Sequence, residues 1–386
     1  MRLNRLVPAA IRTAVIVSAF VVTASGGAAN ANANYHAVCP GAFVGSARCH
    51  VNVVTDRNGN PAASTAPTGL SPATIKSVYS FPTSSTAGAG KTIAIVDAYD
   101  DPTAESDLGV FSSQFGLPAC TTANGCFSKV DQTGGTSYPR KDAGWALEIS
   151  LDVQWAHAIA PGAKILLVEA SSNSFANLLA AEDYAKSHAQ YVSNSWGASE
   201  FSGEASYDSH FAQSGVSFFV SSGDAGLPAE YPSASPNVVS VGGTTLHFSG
   251  GNFTSETGWS GSGGGCSAYE NATAAQSNFS QYGQVNCGGK RATPDVSLDA
   301  DPASGVSVYD TTRYQGQSGW FTVGGTSASS PMWAGRSAVA GAVVNSAYVY
   351  GNSITYRDIT SGDNGASALV GFDLVTGRGS WIGTTP

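Results

Sequence analysis

Short apolar runs of β character alternate along this chain with helix-like segments, and that alternation restricts the fold more than any other feature. Lys91–Asp97 (KTIAIVD), Gly162–Glu169 (GAKILLVE), Tyr191–Asn194 and Val216–Val220 read as strands, apolar enough to be buried on both faces. Between or beside them fall Pro102–Phe115, Ser174–His188 and Glu204–Gln213, read as helices, and a short helix opened by Ser71-Pro72 runs toward Tyr79. Strands joined through helices imply right-handed crossovers, so the expected class is α/β: three layers, with a mostly parallel central sheet flanked by helices. Functional groups in such a sheet gather beyond the carboxyl ends of the strands, which places the turns after Asp97, Asn194, Val220 and Val323 on one rim. Gly242–Gly289, rich in Gly and Ser with hairpin-like pieces, is expected to decorate the sheet's edge.

The chain opens with Arg2, Arg5 and Arg12, an apolar run from Ala14 to Val22, and an A-x-A site at Ala31-Asn32-Ala33. That is the pattern of a secretory signal peptide over residues 1–33, so the expected location is extracellular. Its removal takes away three arginines and no acids and moves the formal charge from −9 to −12. An acidic chain with few charged residues suits neither nucleic acid nor an anionic membrane. Residues 34–68 are polar and turn-rich with one β-type run, Val51–Val54, and read as a short N-terminal extension before the main domain, 69–386. Cys39, Cys49, Cys120, Cys126, Cys266 and Cys287 fall into three sequence-local pairs, read as disulfides 39–49, 120–126 and 266–287 among fifteen possible connectivities.

Trp320–Val323 feeds a glycine pair and then Thr326-Ser327-Ala328-Ser329-Ser330-Pro331, before a small-residue segment read as helical from Ala334 to Ala342. Ser327 therefore belongs at a strand-to-helix turn, a rigid and donor-rich place for a nucleophile, with Pro331 expected in the first helical turn. A nucleophilic hydroxyl needs a base. None of His36, His50, His157, His188, His210 and His247 is followed by the Gly-Thr or Gly-Ser of a subtilisin-type histidine. In the helix-like stretch from Lys141 to Ala158, however, Leu147, Leu151, Trp155 and Ala158 form an apolar stripe, and Glu148 and Asp152 stack four residues apart beside it. The competing reading of that pair is a solvated helix face. Asp224 lies between glycines after the strand ending at Val220, and Ser193-Asn194-Ser195-Trp196-Gly197 is an extended piece able to lie beside a bound peptide.

The Glu-x-x-x-Asp helix followed by Ala-Pro-Gly-Ala-Lys-Ile, then S-W-G, S-G-D-x-G and G-G-T-S-A in that order, resembles the sedolisins, the serine-carboxyl peptidases with a subtilisin-like fold. The likeness runs from about Leu70 to Gly379. It implies Ser327 as nucleophile, Glu148 as general base, Asp152 as the residue that orients it, and Asp224 as oxyanion donor. Ser195, Trp196, Gly197, Ser222 and Gly223 would line the substrate. It also implies one structural Ca²⁺, held by Asp358 and Asp373 with the carbonyls of Ile359, Leu369 and Gly371, an all-oxygen shell. The implied protein is a secreted, acid-active, monomeric endopeptidase or tripeptidyl-peptidase acting on proteins or peptides. A neutral subtilisin and a non-catalytic binding protein on the same scaffold are the alternatives. Sedolisins usually carry a large N-terminal prodomain, whereas only a short extension precedes the catalytic motifs here.

Overall fold

The computed structural model describes Met1, residues 34–351 and residues 354–384; the signal-peptide reading falls on residues 2–33, outside the described residues. The N-terminal segment contributes strands β1 (Tyr35–Ala37), β2 (Arg48–Cys49) and β3 (Asn52–Val54). The main body follows with α1 (Pro72–Tyr79), β4 (Thr92–Ala98), α2 (Ala104–Phe115), β5 (Phe127–Asp131), α3 (Ala143–Ile159), β6 (Lys164–Ala170) and α4 (Phe175–His188). It continues through β7 (Tyr191–Asn194), β8 (Trp196–Ser199), β9 (Ser217–Ser221), β10 (Val239–Ser249), β11 (Val296–Asp299), the hairpin β12 (Val306–Tyr314) and β13 (Gln317–Gly324), and α5 (Thr326–Ala340).

Local chemistry explains the helix starts. Ser71 accepts from the amide of Thr74 and Pro72 opens α1; Asp142 accepts from Gly144 and Trp145 at the start of α3; Ser174 accepts from Asn177 at the start of α4. Strands β11, β10, β9, β7, β4, β6 and β5 lie side by side in that order, all parallel, within a ten-stranded sheet. The α/β expectation holds, with a mainly parallel sheet between helices. Registers Val96↔Asn194 and Asn194↔Val220 align the carboxyl ends into one rim.

Three readings need correction. Gly242 belongs to β10, which lies inside the sheet and pairs in parallel with both β9 and β11; only its hairpin partner, Asn252–Gly258, is an addition to the edge. The glycines there have a packing role, since a Cβ on Gly243 would lie 2.6 Å from the Cβ of Ala300. Helix α5 starts at Thr326, not near Ala334, so Pro331 is inside the helix and offers no N–H to the carbonyl of Ser327. Finally, α3 has no solvated face: every residue from Trp145 to Ile159 is buried, because the helix is wedged between the sheet, α5 and β12. Trp155 donates to the Ser307 carbonyl at 3.0 Å and Gln154 clamps the backbone of Tyr309, fixing α3 against β12.

The N-terminal segment is woven into the body. β3 pairs with β13 (Asn52↔Gly324), β1 pairs with β3, and β2 pairs antiparallel with β8 (Arg48↔Gly197, Cys49↔Trp196). The three disulfides are Cys39–Cys49, Cys120–Cys126 and Cys266–Cys287, the pairing read from local spacing. No helix of the described residues is long and apolar enough to cross a membrane.

Ile95, fully buried in the central strand β4, offers a direct check on where the core lies. In a Ser327→Ala background, which prevents self-digestion, Ile95→Ala should lower the free energy of urea unfolding by about 3 kcal/mol. Val44→Ala, at an exposed position, should change it by no more than ~0.5 kcal/mol. Equal effects would contradict this assignment of the core.

Candidate active site

Ser327 is the second residue of α5, delivered to the rim by β13 and the turn at Gly325. Gly325 has φ +106°, and a Cβ there would overlap the His50 carbonyl and lie 2.6 Å from Asp224 Oδ2. Glycine is therefore required for conformation and for space. The Ser327 hydroxyl donates to Glu148 Oε2 at 2.9 Å and lies 3.4 Å from the Ser195 carbonyl. Among the described residues no histidine hydrogen-bonds to it. His50, the histidine near the rim, is engaged by Ser221 Oγ at 2.7 Å and Glu230 at 3.0 Å.

Behind Glu148, one turn along α3, lies Asp152, and from the end of β4 comes Asp97; all three are fully buried. Glu148 Oε1 and both oxygens of Asp152 and of Asp97 have no hydrogen-bond partner among the described residues. Ser195 and Glu148 nevertheless stand close enough to favour the ionised form of Asp152. Burial drives the pKa of each of the three well upward; the charge of Asp152 adds to the rise at Glu148 and at Asp97. Buried carboxylates a few ångströms apart cannot all ionise, so the cluster retains protons into a range where free carboxyls have lost them. Asp97 was placed on the rim by its strand end but not recognised as part of the cluster. Its signal was a carboxylate closing a wholly apolar strand.

Asp224 sits in the turn after β9, where Gly223 has φ +111° and Gly226 φ +69°. One oxygen accepts from the Thr326 amide (2.8 Å) and hydroxyl (2.9 Å), the other from Asn52 Nδ2 at 2.6 Å. Burial lifts its pKa to about 6 against the opposing influence of His50 and Thr326. The residues read as substrate-lining converge here. The Ser195 carbonyl accepts from the His50 amide at 3.1 Å, the Trp196 indole is pinned to the Val96 carbonyl at 2.9 Å, Gly197 faces His50, Ser222 is buried, and the Gly223 amide bonds to Thr326. Asn52 and His50, from the N-terminal segment, were not expected at the site.

Asp358 and Asp373 lie away from this cluster and share one loop. Asp373 accepts from the Leu369 amide at 3.0 Å and from Val375 and Thr376; both oxygens of Asp358 accept from the Gly371 amide at 3.0 Å. Among the described residues, the group of metal-ligating side chains that does assemble is Cys120, Cys126 and His157, but its two cysteines form a disulfide.

These burial effects predict how stability follows pH. A carboxyl whose pKa is raised by folding holds its proton more tightly in the native state, so stability is fully present below the unfolded value and is lost as pH climbs through the folded one. Asp101 and Asp224, raised to about 6, Glu182 to about 8, and Glu169 and Asp310 to about 9 all act in this direction. Glu230, held at about 2, acts oppositely and only in strong acid. The Tm of the Ser327→Ala protein should therefore be highest near pH 4 and fall steadily toward pH 9, and Asp224→Asn should remove up to ~3 kcal/mol of the decline between pH 4 and 7. A Tm that rises across that interval would contradict the burial of these groups in protonated form.

Comparison with known proteins agrees with this geometry. A model of the subtilase family matches residues 141–361. Kumamolisin of Bacillus sp. (strain MN-32) is 31% identical over 83% of this chain and 63% of its own length. Xanthomonalisin of Xanthomonas sp. (strain T-22) is 28% identical over 72% of this chain and 41% of its own length. The chain thus spans less than two thirds of either relative. The solved structure of Pseudomonas sedolisin, a serine-carboxyl proteinase complexed with two molecules of pseudo-iodotyrostatin, superimposes with a TM-score of 0.68 at 30% identity, covering 82% of this chain and 96% of that one. With a serine and a glutamate in hydrogen-bond contact at the place where a subtilisin-like sheet presents its rim, and a relative this similar over nearly its whole length, the chain belongs to the sedolisin family of serine-carboxyl peptidases.

Proposed function

We propose that this protein is a secreted, acid-active, monomeric serine-carboxyl endopeptidase that cleaves peptide bonds of proteins through an acyl-enzyme on Ser327. The observation that carries the reading is the 2.9 Å hydrogen bond from the Ser327 hydroxyl to Glu148. Glu148, in its ionised form, takes the hydroxyl proton as Oγ adds to the scissile carbonyl, then returns it to the departing amine. Asp152, next along α3, shares protons with Glu148 and sets how readily it accepts one, and Asp97 extends the same cluster. Asp224 in its protonated form donates to the developing oxyanion, because a carboxylate beside that oxygen would repel it. Ser195 to Gly197 and Ser222-Gly223 flank the substrate backbone.

Activity then requires one charged carboxylate at Glu148 and a neutral carboxyl at Asp224. The alkaline limb should lie near the Asp224 value of about 6, and the acid limb where the Glu148–Asp152–Asp97 cluster gives up its first proton, for an optimum at roughly pH 3–5. Ser327→Ala should abolish casein hydrolysis while keeping the native Tm, and Asp224→Asn, a neutral donor at every pH, should keep partial activity and move the alkaline limb upward. kcat/KM from pH 2 to 8 measures both. An optimum near neutrality, or an alkaline limb unmoved by Asp224→Asn, would overturn these roles.

The family also implies calcium, and the donor set suits it: two carboxylates, Asp358 and Asp373, hold the same loop whose carbonyls at Leu369 and Gly371, with Ile359, would complete an oxygen shell. A backbone carbonyl at 369 is indifferent to the leucine side chain, which points outward. Bound Ca²⁺ would supply charge compensation to this loop. Excess chelator should lower the Tm of the wild type by several degrees and leave Asp373→Ala unaffected. An unchanged wild-type Tm, with no metal in the purified protein, would make the loop purely structural.

A further inference from the structure

The N-terminal segment does more than cover the rim: it occupies the place of a substrate. β2 adds to the edge of β8 as an antiparallel strand, the way an extended peptide is held by a sheet edge, through main-chain hydrogen bonds with alternate side chains entering pockets. The segment then reaches the nucleophile. The His50 amide donates to the Ser195 carbonyl at 3.1 Å, the same oxygen that lies 3.4 Å from Ser327 Oγ. The His50 carbonyl lies over Gly325, where any Cβ would overlap it, and Asp224 Oδ2 borders the same space. One peptide unit thus has its amide beside the nucleophile and its carbonyl oxygen beside the oxyanion donor. Ser327 and Glu148 are wholly buried in this arrangement.

The side chains support the same placement. Residues 48 and 50 share one face of an extended strand, and both meet Glu230: Arg48 Nη2 at 2.8 Å from Oε1, His50 Nε2 at 3.0 Å from Oε2. The pocket has room for them because of two glycines. A Cβ at Gly197 would lie 2.9 Å from the His50 ring, and one at Gly223 2.9 Å from the Glu230 carboxyl carbon. Burial pushes Glu230 upward, but His50 and Arg48 outweigh it and hold its carboxylate at about 2, so the pair persists in acid. Beyond Arg48 and Glu230 the groove opens into a cavity of about 1000 Å³, bordered by Ala198, Phe201 and Tyr207 and partly covered by the 41–46 loop, where Phe43 and Val44 are exposed.

We propose that Arg48-Cys49-His50-Val51 is a built-in substrate, that the His50–Val51 bond is cut by Ser327 of the same molecule, and that Glu230 makes the peptidase select a cationic side chain on the acyl side of the scissile bond. This rests on the peptidase reading above. In the cut, Ser327 Oγ adds to the His50 carbonyl carbon and its proton passes to Glu148. The His50–Val51 C–N bond breaks and the Val51 nitrogen takes that proton. Water then adds to the His50–Ser327 ester, giving its proton to Glu148 and thence to Ser327 Oγ, and frees a carboxyl group at His50. The Cys39–Cys49 disulfide lies wholly within the released piece, and β3 stays paired with β13. Departure of the piece bares the Glu230 carboxylate for a basic residue of another protein.

The test follows the purified full chain by intact mass and N-terminal sequencing after transfer to pH 4. Wild type should acquire Val51 as its amino terminus at a rate independent of protein concentration, while Ser327→Ala stays uncut with an unchanged Tm. On peptides differing only at the acyl-side residue, wild type should favour Arg or His over Leu, and Glu230→Gln should reduce that preference at least tenfold in kcat/KM while its rate on the Leu peptide changes little. Casein hydrolysis through Ser327 with the His50–Val51 bond left intact, or cut elsewhere, would overturn the built-in substrate and leave the peptidase reading standing. A preference unmoved by Glu230→Gln would overturn the selectivity. Absence of any Ser327-dependent hydrolysis would remove both.

Discussion

The cost of burying carboxyl groups organises this protein. Asp97, Glu148 and Asp152 come from two elements and meet at zero exposure behind a serine, with burial itself the largest influence raising each pKa. A charge left bare in such a place is strongly unfavourable, and two are worse. The cluster therefore tolerates protons at acidities where surface carboxyls are ionised, and that same preference makes it a base of adjustable strength for Ser327. Elsewhere Glu169, Glu182 and Asp310 repeat the pattern, with values of about 8 to 9. A fold that needs so many protonated carboxyls is one adapted to acid.

The subtilisin-like scaffold makes the cluster possible by the way it buries α3. The helix carries both working carboxylates, and it lies between sheet and helix layers with no polar face toward solvent. Its apolar stripe was legible, and so were the chemistry of Glu148 and Asp152 at four-residue spacing and the serine after a glycine turn. What a helical repeat cannot reveal is whether its polar residues face water or another layer of protein, because that depends on α5 and β12, which arrive more than a hundred residues later. Asp97 was obscure for the same reason. A lone aspartate ending an apolar strand carries no spacing signal, and only the sheet order brings β4 beside β7 and beneath α3.

The strand content of the sheet shows a similar division. β4, β6, β7 and β9 were visible as unbroken apolar runs, whereas β10 was taken for edge decoration because glycines at 242 and 243 dilute its hydrophobicity. Those glycines exist for close packing against Pro294, Ala300 and Trp259, a tertiary reason with no local trace. The N-terminal segment was read as a separate extension from its polar, turn-rich composition. Its position depends on edge pairing with β8 and β13, which backbone groups provide and composition does not display.

Most of the functional account follows from Ser327 acting as a nucleophile activated by a carboxylate. Acid-quenching the enzyme within milliseconds of mixing with a peptide ester at pH 4, then mapping covalent adducts by mass spectrometry, examines that step directly. An acyl group should be found on the segment containing Ser327, absent from Ser327→Ala and much reduced in Glu148→Gln, whose amide cannot accept the hydroxyl proton. Turnover with no adduct on Ser327, or an adduct of undiminished yield and rate in Glu148→Gln, would contradict it.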